Sequence, residues 1–145
     1  MNDYNLDIVS ITETWLTGDC SSSFVELPGY NFFRGDTAGS VRKHGAGLYV
    51  SNKLTSYSVT VTLPNVAVVC LPDLEIYIAS IYRPPSYGLD ENACLMDFLR
   101  EFSLGRELII LGDFNLPSLS WRDGNTYGYA TPLDRSFRDC FWTVA

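Results

Sequence analysis

Residues 107–115, ELIILGDFN, decide the fold expected for this chain. Glu107 to Leu111 is a short apolar run, typical of a buried strand. Gly112 allows a tight exit from that strand and the close approach of a ligand. Asp113 and Asn115 are two residues apart, so in an extended segment their side chains point to the same side. One can orient water or accept a proton and the other can donate a hydrogen bond to a phosphate oxygen, so the segment is suited to phosphate chemistry; the alternative is an ordinary turn, where Asp and Asn also flank an aromatic residue.

A second apolar strand, earlier in the chain, also ends in an acidic residue. Leu6 to Thr12, LDIVSIT, is a β-branched run that predicts a strand buried on both faces, and Glu13 follows it directly. Ligands gather beyond the carboxyl ends of buried strands, so two such strands lying side by side and parallel would place Glu13 and Asp113 on one rim. Paired carboxylates repel unless a cation or proton intervenes, and Mg²⁺ prefers oxygen ligands. The pattern indicates a metal site; the alternative is two solvated acids at unrelated strand ends.

The third candidate segment is residues 80–85, SIYRPP, where a strand runs into two prolines. Proline donates no hydrogen bond to a strand ladder, so Pro84 and Pro85 end the strand. The phenol of Tyr82 and the guanidinium of Arg83 are both suited to binding a phosphate. The alternative is a partly buried tyrosine beside a surface arginine.

The rest of the chain has strands first and then a strand–helix–strand pattern. The spacing of apolar residues predicts helices at Asp90–Phe102, with Asp90 as the N-terminal cap, and at Leu133–Thr143. Such a mixture is typical of a layered α/β or α+β fold. Apolar and β-branched runs predict five further strands: Tyr30–Phe33, Gly47–Ser51, Ser56–Thr62, Val66–Leu71 and Leu74–Tyr82.

Length and composition limit the function classes. The 145 residues are enough for one ordinary domain. The 10 Lys and Arg against 17 Asp and Glu give a net charge of −7, which argues against a broad basic face for nucleic acid but leaves a metal-dependent nuclease open. The 4 cysteines are widely spaced, which predicts free thiols in a reducing compartment. No apolar run reaches the roughly 20 residues of a membrane-spanning helix, and we expect no secretory signal and no membrane partner.

Four motifs in order give the chain a family resemblance. They are Ile11–Leu16 (ITETWL), His44–Val50 (HGAGLYV), Ile81–Ser86 (IYRPPS) and Leu111–Asn115 (LGDFN), with Trp121 behind them. Together they resemble the endonuclease/exonuclease/phosphatase superfamily, and most of all the apurinic-endonuclease-like domain of non-LTR retrotransposons. The resemblance implies a DNase I-like α/β layered sandwich, in which two mixed β-sheets face each other with flanking helices. Residues 1–145 would form a single, partial domain of this kind.

The resemblance also implies a mechanism and partners. Glu13 would hold Mg²⁺, or Mn²⁺ in its place, and Asp113 would orient or deprotonate the attacking water. Asn115 would hydrogen-bond the scissile phosphate, Tyr82 would support its developing charge, and Arg83 would be a weaker phosphate contact. The reaction would be metal-assisted phosphodiester hydrolysis that nicks DNA. A reverse transcriptase domain would share the parent polypeptide, which would act in the nucleus.

The family pattern includes two segments that residues 1–145 do not contain: an earlier strand ending in a metal-site Asn, and a later Ser/Thr-Asp-His segment. We therefore expect this polypeptide to have weak or no nuclease activity. The chain's one histidine, His44, matches none of the catalytic positions that the resemblance implies, and we interpret it as a surface residue. Two alternatives stay open: a phosphomonoesterase of the same superfamily, and a non-catalytic remnant or binding module of the same fold.

Overall fold

The structure is a computed structural model that describes residues 6–37, 39 and 43–143. The chain divides into two compact units. The sheet unit consists of Met1–Pro84 and Glu107–Phe114, and the helix unit consists of Pro85–Arg106 and Asn115–Ala145. Within the described residues, the β-strands lie in the sheet unit and the α-helices lie in the helix unit.

One sheet of the sheet unit is antiparallel. Strands β1 (Ile8–Thr12), β2 (Tyr30–Gly35) and β3 (Ala46–Ser51) form it in the order β1-β3-β2. Ser10 of β1 lies opposite Leu48 of β3. The central strand β3 is buried along its whole length, since it has a neighbouring strand on each side.

The other sheet is mixed. Strands β4 (Tyr57–Val59), β5 (Val66–Leu71), β6 (Ile76–Tyr82) and β7 (Glu107–Asp113) form it in the order β4-β5-β6-β7. β4, β5 and β6 pair in antiparallel fashion, whereas β6 and β7 are parallel. Two parallel neighbours need a crossover connection, and here residues 85–106 of the helix unit provide it.

Apolar side chains from the facing sides of the two sheets form the core of the sheet unit. Leu48 and Val50 of β3 pack with Val69 and Leu71 of β5 and with Ile78 of β6, all fully buried. Successive side chains alternate between the two faces of a strand, so residues two apart share the inner face. Complete burial of side chains of this size stabilises the fold by about 1.5–3 kcal/mol each.

The helix unit contains α1 (Leu89–Ser103) and α2 (Pro132–Thr143). α2 begins with a reciprocal cap, because Thr131 Oγ1 accepts the Asp134 N–H at 3.2 Å while the Asp134 carboxylate accepts the Thr131 N–H at 2.7 Å. The two helices pack together, and the thiol of Cys140 lies 3.8 Å from the carbonyl oxygen of Met96. In the described part of the chain, neither helix is long and apolar enough to cross a membrane.

The layered α/β architecture with two sheets and two helices agrees with the prediction, and one of the sheets is antiparallel rather than mixed. Each expected strand and helix is present; Val66–Leu71 has its predicted ends, and the others have shifted ends. The strand predicted at Ser56–Thr62 is shorter, because only Tyr57–Val59 pairs with β5. The prediction of Asp90 as a helix cap was wrong, since α1 begins one residue earlier and Gly88 occupies the cap position.

The strand at residues 6–12 was wrongly predicted to be buried on both faces, and the side-by-side arrangement considered for the two acid-ending strands is not the one observed. β1 and β7 do not lie side by side, because they belong to different sheets. Neither is buried on both faces: β1 is half-buried throughout, and Ile109 of β7 is 45% exposed. The reason is that each pairs with one neighbouring strand within the described residues, β1 with β3 and β7 with β6.

Candidate active site

A hydrogen bond between the two sheets brings the ends of β1 and β6 together. The hydroxyl oxygens of Ser10 in β1 and Ser80 in β6 are 2.8 Å apart, and Ser80 Oγ also lies 3.4 Å from the carbonyl oxygen of Ile11. Glu13 follows β1 by one residue, and Tyr82 is the last residue of β6. Glu13 and Tyr82 therefore both follow shortly after the residues that make the Ser10–Ser80 contact.

Pairing between β6 and β7 places Asp113 beside Tyr82. These two residues are opposite each other in the parallel register, and the Arg83 N–H donates to the Asp113 carbonyl oxygen at 2.8 Å. Gly112 is not the exit from the strand that we predicted, because β7 continues through Asp113. Its role is the close approach of two strands: it has φ +141°, and a Cβ there would overlap the carbonyl of Ile81 in β6.

The single histidine also belongs to this group, and its interpretation as a surface residue was wrong. His44 is half-buried, and its imidazole stacks on the ring of Tyr82 with centroids 5.3 Å apart and planes 27° apart. Its carbonyl oxygen accepts the Trp15 N–H at 2.8 Å, just after Glu13. His44 thus contacts Tyr82 through its ring and the segment after Glu13 through its backbone.

Arg83 is buried rather than on the surface, with 3% exposure. Its Nη1 donates to the carbonyl oxygen of Phe114 at 2.9 Å. The guanidinium therefore supports the backbone directly after Asp113. Its contact with a phosphate stays a prediction.

Asn115 is the first residue of the second stretch of the helix unit. The segment is not extended there, because Asn115 has φ +49°, in the left-handed region. The inference that Asp113 and Asn115 point to the same side rested on extended geometry and was wrong in that premise. The role of Asn115 stays a prediction from its motif.

Glu13 and Asp113 carry the type of oxygen donor that suits a hard cation such as Mg²⁺, which keeps most of its bound water. Glu13 directly follows β1, Asp113 is the last residue of β7, and both side chains are exposed. The strands next to β1 and β7, which are β3 and β6, contact each other. Mg²⁺ is commonly held by one or two carboxylates together with water and substrate phosphate. No group of three or more His, Cys, Asp or Glu side chains in the described part of the chain surrounds a metal position. Two exposed carboxylates are donors of the type that Mg²⁺ prefers, and their binding of this cation at one open site stays a prediction.

Backbone geometry identifies residues that sequence reasoning missed. Left-handed non-glycine residues are uncommon and concentrate at functional sites. Asn65 is buried, has φ +61°, and accepts the Gly45 N–H on its side-chain oxygen at 3.0 Å. The signal in the sequence was weak, since Asn tolerates this conformation in any turn. In the described part of the chain, the non-glycine residues with positive φ are Glu13, Trp15, His44, Asn65, Glu75 and Asn115.

Comparison with known proteins gives one family match and several structural matches. Residues 76–140, from the start of β6 to within α2, match the family model described as endonuclease-reverse transcriptase. No curated protein sequence matches the chain. The AP endonuclease LMAP from Leishmania major superposes with a TM-score of 0.71 at 18% identity, covering 99% of this chain and 59% of that one. An AP endonuclease from Archaeoglobus fulgidus superposes with a TM-score of 0.61 at 13% identity, covering 98% of this chain and 62% of that one.

At identities this low, the two structures show the fold. This chain spans about three-fifths of the length of either AP endonuclease structure. The family match covers β6, α1 and β7, including Tyr82 and the GDFN motif. The chain therefore has the fold of these AP endonuclease structures, and its residues 76–140 are similar to the endonuclease-reverse transcriptase family.

Proposed function

We propose that this chain is the endonuclease part of a retroelement polypeptide and nicks DNA by Mg²⁺-dependent phosphodiester hydrolysis. The observation that carries the proposal is the position of Glu13, Tyr82 and Asp113 at the ends of three strands that the Ser10–Ser80 contact and the β6–β7 register bring together. The match of residues 76–140 to the endonuclease-reverse transcriptase family supports DNA as the substrate. In this proposal residues 1–145 act within a larger polypeptide that includes a reverse transcriptase and works in the nucleus.

Each site residue has a role that its chemistry allows. Glu13 and Asp113 hold the Mg²⁺, which acts when bound as a Lewis acid for the scissile phosphate. Asp113 also orients the attacking water and accepts its proton. Tyr82 donates its hydroxyl to a phosphate oxygen. Asn115 donates its side-chain amide to the same phosphate, and Arg83 adds a weaker contact beside its hydrogen bond to Phe114.

The test is conversion of supercoiled plasmid to nicked circles by the 145-residue chain with and without Mg²⁺. We expect slow nicking that needs the cation and that falls by about 10²- to 10⁴-fold in Asp113→Asn, because the attacking water loses its general base and the Mg²⁺ loses one of its two carboxylates. Glu13→Gln should weaken Mg²⁺ binding in calorimetry as well as nicking. Asp73→Asn is the matched control, since Asp73 is an exposed acid in a 3-10 turn away from these strand ends. Equal nicking by the wild-type chain and Asp113→Asn would reject the proposal.

The same preparation distinguishes the two alternatives. Phosphate release from a soluble phosphoinositide headgroup, without nicking, would indicate a phosphomonoesterase. Mg²⁺ binding without turnover of either substrate would indicate a binding module. Absence of both Mg²⁺ binding and a cooperative melt would indicate a remnant.

A further inference from the structure

The contact between His44 and Tyr82 joins two segments that are far apart in the sequence. The imidazole and the phenol ring are stacked, with centroids 5.3 Å apart and planes 27° apart. Tyr82 is 5% exposed and His44 is half-buried, so the imidazole covers one side of a buried ring. A stack of this kind limits the orientations that the tyrosine ring adopts.

The backbone on both sides of the stack is held by a single buried residue, through its side chain on one side and its main-chain carbonyl oxygen on the other. Asn65 accepts the Gly45 N–H on Oδ1 at 3.0 Å, and its carbonyl oxygen accepts the Tyr82 N–H at 3.0 Å. Thr37 donates its hydroxyl to the same Oδ1 at 2.6 Å. Asn65 therefore positions the residue after His44 and the backbone of Tyr82 relative to each other.

The segment that carries His44 has little freedom of its own. His44 is in the left-handed region at φ +59°, and Gly45 follows at φ +92°. A Cβ at Gly45 would overlap the hydroxyl of Thr14, so the glycine lets this segment lie against the end of β1. The His44 carbonyl oxygen accepts the Trp15 N–H there at 2.8 Å. The imidazole is thus presented to Tyr82 from a backbone that is fixed on both sides.

We propose that His44 is a positioning residue that holds the Tyr82 ring in the orientation needed to meet a substrate phosphate. The catalytic consequence rests on the proposed endonuclease function, whereas the positioning of the ring does not. His44 acts through Tyr82 by stacking, so an aromatic ring at position 44 is what matters, and a ring nitrogen is not required.

The first experiment measures the stack without any activity. His44 is the chain's one histidine, so its imidazole protons give one identifiable set of NMR signals. In the wild-type chain these signals should be shifted upfield by the ring current of Tyr82. Tyr82→Phe keeps a ring and should keep the shift, whereas Tyr82→Leu should abolish it. A shift that is unchanged in a folded Tyr82→Leu variant would overturn the proposal.

The second experiment measures the consequence for nicking. His44→Ala should lower the nicking rate by about 10-fold, because a phenol that reorients no longer meets the phosphate. His44→Phe should restore most of the rate. In a Tyr82→Phe background, His44→Ala should cause no further loss, because the hydroxyl being positioned is already absent. Phe24→Ala, which removes an aromatic ring that is 84% exposed, is the matched control and should not change the rate.

The outcomes separate this inference from the proposed function. Failure of His44→Phe to restore the rate, or a full additional loss in the Tyr82→Phe background, would overturn positioning through the stack. If the wild-type chain does not nick DNA, the endonuclease proposal fails for residues 1–145 on their own, and the NMR comparison alone decides whether His44 holds the Tyr82 ring.

Discussion

The hydroxyls of Ser10 and Ser80 meet at 2.8 Å between the two sheets, although the residues are 70 positions apart in the chain. Ser80 is fully buried, so its hydroxyl depends on Ser10 and on the Ile11 carbonyl oxygen for its hydrogen bonds. Polar groups within an otherwise apolar core specify how two layers align, because misalignment leaves them unsatisfied. This pair aligns β1 with β6 and so brings Glu13 near the end of the strand that carries Tyr82.

A double-mutant cycle on Ser10→Ala and Ser80→Ala should give a coupling of about 1 kcal/mol, the usual net value of one protein hydrogen bond. Chemical denaturation of the four proteins measures it. The hydroxyls of Ser21 and Ser23 are also 2.8 Å apart but exposed, so the same cycle there should give almost no coupling. Equal coupling at the two pairs would show that the inner pair does not align the sheets.

Gly112→Ala should destabilise the chain far more than an alanine at an open glycine. Its φ of +141° disfavours any Cβ, and the added atom would overlap the Ile81 carbonyl. We expect a loss above about 4 kcal/mol in the free energy of unfolding, or failure to fold. Gly105 has φ +67° and no atoms near the position of an added Cβ. Gly105→Ala should therefore lose only about 1–2 kcal/mol of stability, the cost of placing a residue with a Cβ in the left-handed region. Similar losses in urea titrations of both variants would contradict the close approach of β6 and β7.

Arg34→Lys should cost about 2 kcal/mol of stability, because lysine does not reproduce a set of fixed, charge-assisted hydrogen bonds. Arg34 binds the Asp36 carboxylate through Nε at 2.8 Å and Nη2 at 2.7 Å, and donates to the carbonyl oxygens of Thr17 and Cys20. It therefore holds the segment after Trp15 against β2. The pair formed by Arg138 with Asp139 is more exposed, so Arg138→Lys should cost only about 0–1 kcal/mol. Thermal melts of both variants and the wild-type chain measure the two losses.

Tyr127→Phe should raise the pKa of Asp123 toward its ordinary value. Hydrogen bonds from Ser120, then Tyr127 at 2.8 Å and the Asn125 N–H at 3.1 Å, hold the pKa of Asp123 well below 3.8. NMR titration of the Asp123 carboxyl carbon measures the change, and Ser120→Ala should raise the pKa further. An unchanged pKa in Tyr127→Phe would contradict the contact.

The same hydrogen bond links stability to pH at both ends of the scale. Because the folded pKa of Asp123 is lowered, its stabilisation is present above pH 3.8 and is lost as the pH falls through the folded value. The pKa of Tyr127 is raised above 10.0, chiefly by its hydrogen bond to Asp123, so its stabilisation is present below that pH and is lost as the pH rises through the folded value. The difference in melting temperature between the wild-type chain and Tyr127→Phe should therefore be greatest between these limits.

The local sequence pattern predicted most of the strands and helices, but it did not predict which elements cover or pair with each strand. Val66–Leu71 was predicted with its ends correct, because an unbroken apolar, valine-rich run bounded by turn residues favours a strand in any context. Exposure of Ile109 was not predictable from the run Glu107–Leu111, since burial depends on which neighbours cover the strand. The same limit left open whether β1 and β7 share one sheet, because strand pairing is set between distant segments.

The sequence predicted the residues of the candidate site, but it did not predict the residues that hold Tyr82 in place. Glu13, Tyr82 and Asp113 each follow a recognisable run, and their motifs indicated phosphate chemistry. His44 and Asn65 carry no such mark, because a lone histidine and a turn asparagine are ordinary residues until the fold brings them to Tyr82. Asn and His tolerate the left-handed region, but the surrounding structure decides that these two residues adopt it.

By itself, the sequence determined the strands and helices, the acids and the phenol at the strand ends, and the family pattern in residues 76–140. These are local properties, since backbone preference, apolar spacing and motif order act over a few residues at a time. Only the tertiary structure decided that β1 faces β6, that Asp113 lies opposite Tyr82, and that His44 stacks on that ring. Those relationships join segments tens of residues apart, and packing of the two sheets selects them through the combined free energy of the whole core.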